Sequence, residues 1–431
     1  VTAAVTNTAL PNAASPLQGF DDYCDTCVEE AAFLWLLRSM AVTQPHYSPE
    51  DLLDLEERID RQLTALQLYP DAAWLACQRA LGVAQSGEVF VASVVAFKSL
   101  DVYKIQQAVE AGLENESVFK ALVSALAWLP GRFCHPWVKK FFTSKEMAHK
   151  RLAVAVCLAR REDPSGYLNR LLERDDCRQQ ADLHAQCLKA IGVFKRRDLL
   201  AYCEQALCDE DDALAFWAHW AAVLLGDRSA PMGLQRFALE AGPFQLKALT
   251  LAVRRVPPTL AKRWISDLLH AGHMRLAIQA TAALGDPEAL PWIIACMRDP
   301  SLARVSGEAL TQMTGIDLEA HELCYRLPQI PFPEDANEPE ERSDGEGLEL
   351  DEDENLPWPN VEKIKALWET IKHRYPPGKR LFLGRELDNN HLRRHLNSGF
   401  QRHRAWAALE LALREPGLPM PNVKNKQGPW S

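Results

Sequence analysis

The residues best suited to chemistry in this 431-residue chain are a few cysteines, histidines and arginines. Cys24 and Cys27 form a C-x-x-C pair, "CDTC". That spacing serves a redox centre inside a thioredoxin-like βαβ unit, or half of a zinc site when a second pair follows. The sequence offers neither, so the pair reads as two surface thiols ahead of a helix. His391 and His395 stand four apart, with His403 beyond, and an i, i+4 pair on one helix face can hold a metal. The glutamate of H-E-x-x-H is missing, and Arg393 and Arg394 set two positive charges between the imidazoles, which repels a cation. A basic helix face is the better reading. Arg374, Lys379, Arg380, Arg393, Arg394, Arg402 and Arg404 are mixed with aromatic residues in "KHRYPPGKRLF" and "FQRHRAW". They are the candidate electrostatic contacts to a partner, and could meet phosphates; neutralisation by the chain's own acidic linker is an equal alternative. No P-loop, G-x-G-x-x-G, G-x-S-x-G or framed pair of catalytic carboxylates is visible. The expectation is therefore no catalytic residue, no cofactor and no metal.

The elements that would position these residues are helices. In "ALGDPEALPWIIACMRDP", Gly285 can take the left-handed conformation that ends a helix. Asp286 can cap the next one, and Pro287 fits its first position. Leu290, Ile293, Ile294 and Met297 then fall on one helix face. Asp299 and Pro300 restart the cycle for Leu302, Val305, Ala309, Leu310 and Met313, which Gly315 ends. Similar stops recur at Leu100-Asp101, Pro130-Gly131, Asp163-Pro164, Arg197-Asp198, Gly226-Asp227 and Pro257-Pro258, with a period of about 31 residues. Such short helices are unstable alone and need neighbours. Ala and Ser interspersed among the large apolar residues let those neighbours come close. Trp217 and Trp220 read as core or groove-lining residues.

The stretch "RLAIQATAALGDPEALPWIIACMRDPSLARVSGEALTQMTG" resembles the short HEAT-like repeat of bacterial lyase-type proteins, and the resemblance extends more loosely over about residues 85–320. It implies an all-α fold, a HEAT-like α-solenoid. The whole chain also resembles an uncharacterised bacterial HEAT-repeat family often encoded near type VI secretion genes. The segments that carry this likeness are "EEAAFLWLLRSMAV", the repeats and "LFLGRELDNNHLRRHLNSGFQRHRAWAALELALREPG". That likeness implies an accessory or adaptor role and no known reaction.

Composition is ordinary for a folded chain, with 47% hydrophobic and 25% charged residues. No stretch offers the ~18 uncharged apolar residues of a membrane span. Eleven cysteines, set mostly among apolar neighbours, and no secretory signal at the start point to a cytoplasmic protein. The expected organisation is a flexible leader at 1–24, an N-terminal helical cap at 25–84, HEAT-like repeats at 85–330, an acidic linker at 331–359 and a small basic C-terminal helical module at 360–431. From Glu334 to Glu354 there are twelve acidic residues and one basic, while 360–431 carries a net +8. The linker should be disordered or lie on basic groups. In the module, Asp388 should cap a helix, and a short extended "RLFLG" should precede it.

The function expected is a non-catalytic protein-binding scaffold or adaptor, accessory to a bacterial type VI secretion system if the family likeness holds, because stacked helix pairs form a long concave surface suited to a large partner. A nucleic-acid-binding protein of base-repair type is the alternative. It would want a positive concave face, whereas the chain outside the linker and module is net acidic. A tetrapyrrole lyase-like enzyme is a third reading, implied by the repeat resemblance alone.

Overall fold

The computed structural model describes residues 16–83, 85–325, 353–415 and 417–427. Among the described residues the chain is all-α apart from one two-stranded hairpin and one isolated β-bridge. It divides into two compact units: residues up to 42, 50–162 and 424 onward form the first, and 43–49 with 163–423 form the second.

The first unit holds α1 (Pro16–Ala41), α2 (Pro49–Leu66), α3 (Pro70–Leu81), α4 (Ser86–Ser99), α5 (Val102–Gly112), α6 (Glu116–Trp128), α7 (Gly131–Thr143) and α8 (Met147–Arg160). α1 packs on α3 and α4, α4 on α6, and α6 on α8, with α5 and α7 set against this row. Helix α1 begins inside the expected leader, and it buries both Cys24 and Cys27. The surface-thiol reading of "CDTC" is therefore corrected. Both thiols lie inside the helix, on the face that packs inward, where a small apolar side chain is needed. The end of the chain also belongs to this unit. Glu56 takes the buried guanidinium of Arg38 at 2.8 Å and the Gln427 amide at 2.6 Å, and Lys426 pairs with Asp60.

The second unit holds α9 (Gly166–Glu173), α10 (Asp175–Arg178), α11 (Ala181–Phe194), α12 (Leu200–Ala206), α13 (Asp212–Leu225), α14 (Ala230–Gly233), α15 (Gln235–Leu239), α16 (Gln245–Ala252), α17 (Pro258–His270), α18 (Met274–Leu284), α19 (Leu290–Cys296) and α20 (Pro300–Thr314). After the acidic stretch come α21 (Val361–Ile371), β1 (Leu381–Phe382), β2 (Arg385–Glu386), α22 (Asn389–Ser398) and α23 (Gln401–Arg414). Helices α11, α13, α16, α18 and α20 pack on one another in that order, and α12, α15, α17 and α19 each flank one of them. Close approach within the row needs small residues: a Cβ on Gly192 of α11 would stand 2.7 Å from the Ala221 Cα of α13.

The helix boundaries follow the expected chemistry. Gly226, Gly285 and Gly315 end α13, α18 and α20 at positive φ. Asp299 caps α20 through the Ser301 amide, with Pro300 at the first position. Asp286 accepts from Glu288, and Pro287 opens a 3-10 turn that leads into α19. Asp388 caps α22 as expected, and "RLFLG" forms β1 and the turn of the hairpin, with Leu381 opposite Glu386 and Phe382 opposite Arg385. Three earlier stops place Leu100, Arg161 and Lys195 in the same left-handed conformation without a glycine.

The end of the acidic stretch is folded. Cys324 and Pro359 form a β-bridge, Tyr325 donates to the Trp358 carbonyl, and Asp353 is buried against Arg275. The expectation that the stretch is disordered or docked otherwise falls on residues outside those described. Ile364 and Trp368 of α21 enter the apolar cluster built by Leu290, Ile293, Val305 and Met313, so α21 is part of the second unit's core.

Candidate docking surface

A helix leaves its last carbonyls without intrahelical partners and carries partial negative charge at its C-terminus. In the second unit, cations and backbone amides from other segments satisfy these carbonyls. Lys195 Nζ, at the end of α11, stands 2.6 Å from the Leu224 carbonyl of α13 and 2.6 Å from the Ala412 carbonyl of α23. Burial, with Arg197 and Arg255 nearby, lowers the Lys195 pKa to about 8. Arg380 donates to Leu284 at the end of α18. The segment that follows Arg380 adds its backbone. The Leu381 amide donates to Gly285 at 2.8 Å, Leu383 to Gln312 at 2.7 Å and Gly384 to Met313 at 3.0 Å. Gly378 donates to the Asp286 carboxylate at 3.0 Å. Residues 378–384, which include β1 and the hairpin turn, thus lie as a strap across the ends of α18 and α20. The glycine stops serve this contact directly, since a Cβ on Gly285 would stand 2.6 Å from the Leu381 oxygen and one on Gly315 2.7 Å from the Leu383 oxygen.

Side chains of the stacked helices and of the loops that end them form a second layer of contacts. Arg254, just past α16, is buried with its Nε 2.8 Å from Glu410 of α23 and its guanidinium 4.0 Å from the Trp406 ring. Burial lowers its pKa to about 10 against the opposing pull of Glu410. Arg275 of α18 makes a two-pronged pair with Asp353, both contacts at 2.7 Å. Arg304 of α20 lies 4.7 Å from the Trp358 ring. Lys189 of α11 and Lys247 of α16 lie 4.8 and 5.7 Å from the Trp217 ring of α13. At Glu308 of α20 the polarity reverses, and the carboxylate faces Arg402 of α23 at 3.2 Å. Burial raises the Glu308 pKa to about 7, with Arg402 opposing and Asp353 assisting.

The candidate basic residues separate into two groups. Arg380 pairs with Glu410 at 2.6 Å, Arg402 with Glu308, Arg393 with Glu415 and Lys379 with Glu386. Arg404 is buried and donates to the Leu396 carbonyl and the Gln401 side chain. Arg374 and Arg394 are exposed. The geometry therefore gives Arg380, Arg402 and Arg404 positions inside the second unit's own packing. The basic character of Arg380 and Arg402 answers Glu410 and Glu308, which the sequence places far away, and that of Arg404 answers the nearby Leu396 carbonyl.

The histidines do come together. The rings of His391 and His395 are 4.5 Å apart, and Phe382 meets both edge-on. His391 Nε2 lies 2.8 Å from the Phe382 carbonyl. Burial lowers the pKa of His395 to about 4 and that of His403 to about 3. Among the described residues no group of three metal-ligating side chains forms. Sequence reasoning did not single out Arg254, Lys189 or Lys247, because each acquires meaning only from the stacking of the helices; Arg275 entered it only as part of the repeat resemblance. No helix among the described residues is long and apolar enough to cross a membrane. No family model, curated protein or solved structure matches the chain.

Proposed function

We propose that the chain is a HEAT-like α-solenoid that works as a non-catalytic protein-binding scaffold or adaptor. The observation that carries this reading is the strap. The second unit already holds a strap of its own chain, residues 378–384, through backbone hydrogen bonds to helix ends and through an arginine, and a helical array can hold a segment of a protein ligand by the same kinds of contact. The ordered packing of α11, α13, α16, α18 and α20 supports the solenoid part of the reading. An accessory role in type VI secretion enters the proposal from the family resemblance alone, and a cytoplasmic setting from the unpaired, mostly apolar placing of the cysteines.

A photo-crosslinking amino acid at Ala213, one turn before Trp217 on α13, tests the reading in the native host. The control carries it at Glu204, exposed on flanking α12. A defined crosslinked protein at Ala213 and none at Glu204 is the expected result. Turnover of a substrate by the purified chain, or equal crosslinking from both positions, overturns it.

A further inference from the structure

Glu56 and Asp60 stand one turn apart on α2 and so share a face of that helix. With Arg38 of α1 and Trp128, the last residue of α6, they hold residues 424–427 against the first unit. The Arg38 guanidinium donates to the Lys424 carbonyl at 3.0 Å, and the Gln427 amide donates to the Glu56 carboxylate at 2.6 Å. The Lys426 ammonium meets one oxygen of Asp60 at 2.6 Å and lies 4.9 Å from the centre of the Trp128 ring. Its side chain is 3% exposed, so the whole lysine is enclosed.

We propose that this site docks a lysine-bearing loop segment of another protein, and that residues 424–427 are its displaceable occupant. The proposal rests on the scaffold reading and names the chemistry of a partner. Two features carry it. First, the walls are fixed by bonds that do not involve the occupant. Arg38 holds Glu56 at 2.8 Å, the Trp128 indole donates to the other oxygen of Asp60 at 2.8 Å, and Phe90 meets Trp128 edge-on at 5.5 Å. A site held in this way needs little ordering when a ligand arrives. Second, two of the three contacts are with a backbone carbonyl and a backbone amide, which other sequences also present. Selection then falls on the pocket of Asp60 and Trp128, where a carboxylate and an indole face together suit an ammonium ion. The carbonyl lies two residues before the lysine and the amide one residue after it. The matching ligand is therefore any two residues, a lysine, and a residue other than proline.

The test uses the full chain and a fluorescein-labelled peptide copying residues 421–427, followed by anisotropy. In the natural chain the attached segment competes at high effective concentration, so the peptide should bind weakly. Lys426→Gln and Lys426→Glu loosen the occupant alone. Each should tighten peptide binding at least tenfold with circular dichroism unchanged. Adding Asp60→Asn should undo that gain, and so should reversing the order of the peptide's residues, which keeps its charge. No gain in either Lys426 variant, or equal binding with and without Asp60→Asn, overturns the proposal. A benzophenone-bearing form of the peptide, at millimolar concentration with the natural chain, gives a readout that needs no variant. Its crosslinks should map to α2 and the end of α6, and crosslinks confined to other helices overturn the proposal. A concentration-dependent dimer of the natural chain that Asp60→Asn abolishes assigns the site to the same segment of a second copy instead. A negative peptide result beside a positive Ala213 crosslink removes the lysine site and leaves the scaffold reading standing.

Discussion

Arg254 and Arg380 converge on a single oxygen of Glu410, at 2.8 and 2.6 Å. Arg254 and Glu410 are almost wholly shielded from water, whereas Arg380 is 30% exposed. One carboxylate is therefore shared by two cations, and removing it strands a buried guanidinium. Breaking a buried pair from one side costs about 3–5 kcal/mol, because the remaining charge is left without a partner. Glu410→Gln should destabilise the second unit by that amount. Arg380→Met should cost about 1–2 kcal/mol, since Glu410 keeps Arg254 and the lost contacts include a partly exposed pair and a helix-end hydrogen bond. Urea unfolding followed by a probe in the second unit checks both values, and equal effects of the two substitutions would contradict the shared-oxygen account.

The strap makes a second prediction. Gly378, Gly285 and Gly315 all have positive φ, at 81, 73 and 72°. Gly378 has open space where a Cβ would go, whereas Gly285 and Gly315 face backbone oxygens at 2.6 and 2.7 Å. Gly378→Ala should therefore cost only the conformational strain, about 1 kcal/mol. Gly285→Ala and Gly315→Ala must also push the strap away and should cost about 2–3 kcal/mol. Thermal unfolding of the three variants separates the terms.

The helix stops were legible in sequence because their causes are local. Gly285, Asp286, Pro287, Asp299 and Pro300 act through their own backbone and the next turn, and each stands where its chemistry predicts. The docking of the module was not legible. Arg380 meets Glu410 across 30 residues and Arg254 meets it across 156, and no local pattern encodes such a pairing. The left-handed stops at Leu100, Arg161 and Lys195 were hidden for a related reason. Their residue types do not favour that conformation, and only the packed structure holds them there.

The thiols give a third prediction. Cys77, Cys134 and Cys203 are buried, and burial pushes each thiol up to about 12. Thiolate is the reactive form, so these sites should stay unmodified in the native chain. Cys24 and Cys27 are also buried and raised by the same cause. Cys208 is exposed and Cys324 partly so. Brief alkylation at pH 8 followed by peptide mass spectrometry should label Cys208 first and Cys324 next. Early labelling at Cys24 or Cys27 would mean that α1 opens readily.

The last prediction concerns pH. Arg402 Nε donates to His403 Nε2 at 3.1 Å, which requires the unprotonated nitrogen. Burial first, then Arg402 and His395, lower the His403 pKa to about 3. His395 is lowered to about 4 by burial, assisted by His391, Arg394 and Arg385. An unfolded chain would protonate both near the ordinary histidine value, ~6.5. Below that value the unfolded state binds more protons, so stability falls as pH drops from ~6.5 toward the folded values, by up to about 1.4 kcal/mol per pH unit for each ring. Glu308 works in the opposite sense. Its pKa is raised to about 7, so its folded state holds a proton that the unfolded chain has lost, and its contribution is lost as pH rises through 7. The two effects overlap between pH 5 and 6.5 and must be separated by substitution. His403→Gln keeps an acceptor for Arg402 and does not titrate. Its unfolding free energy should depend less steeply on pH between 4 and 6.5 than that of the natural chain, and the two should converge in slope above pH 7.5. Parallel curves throughout would show that His403 is protonated to the same extent folded and unfolded, and that the contact with Arg402 does not set its charge.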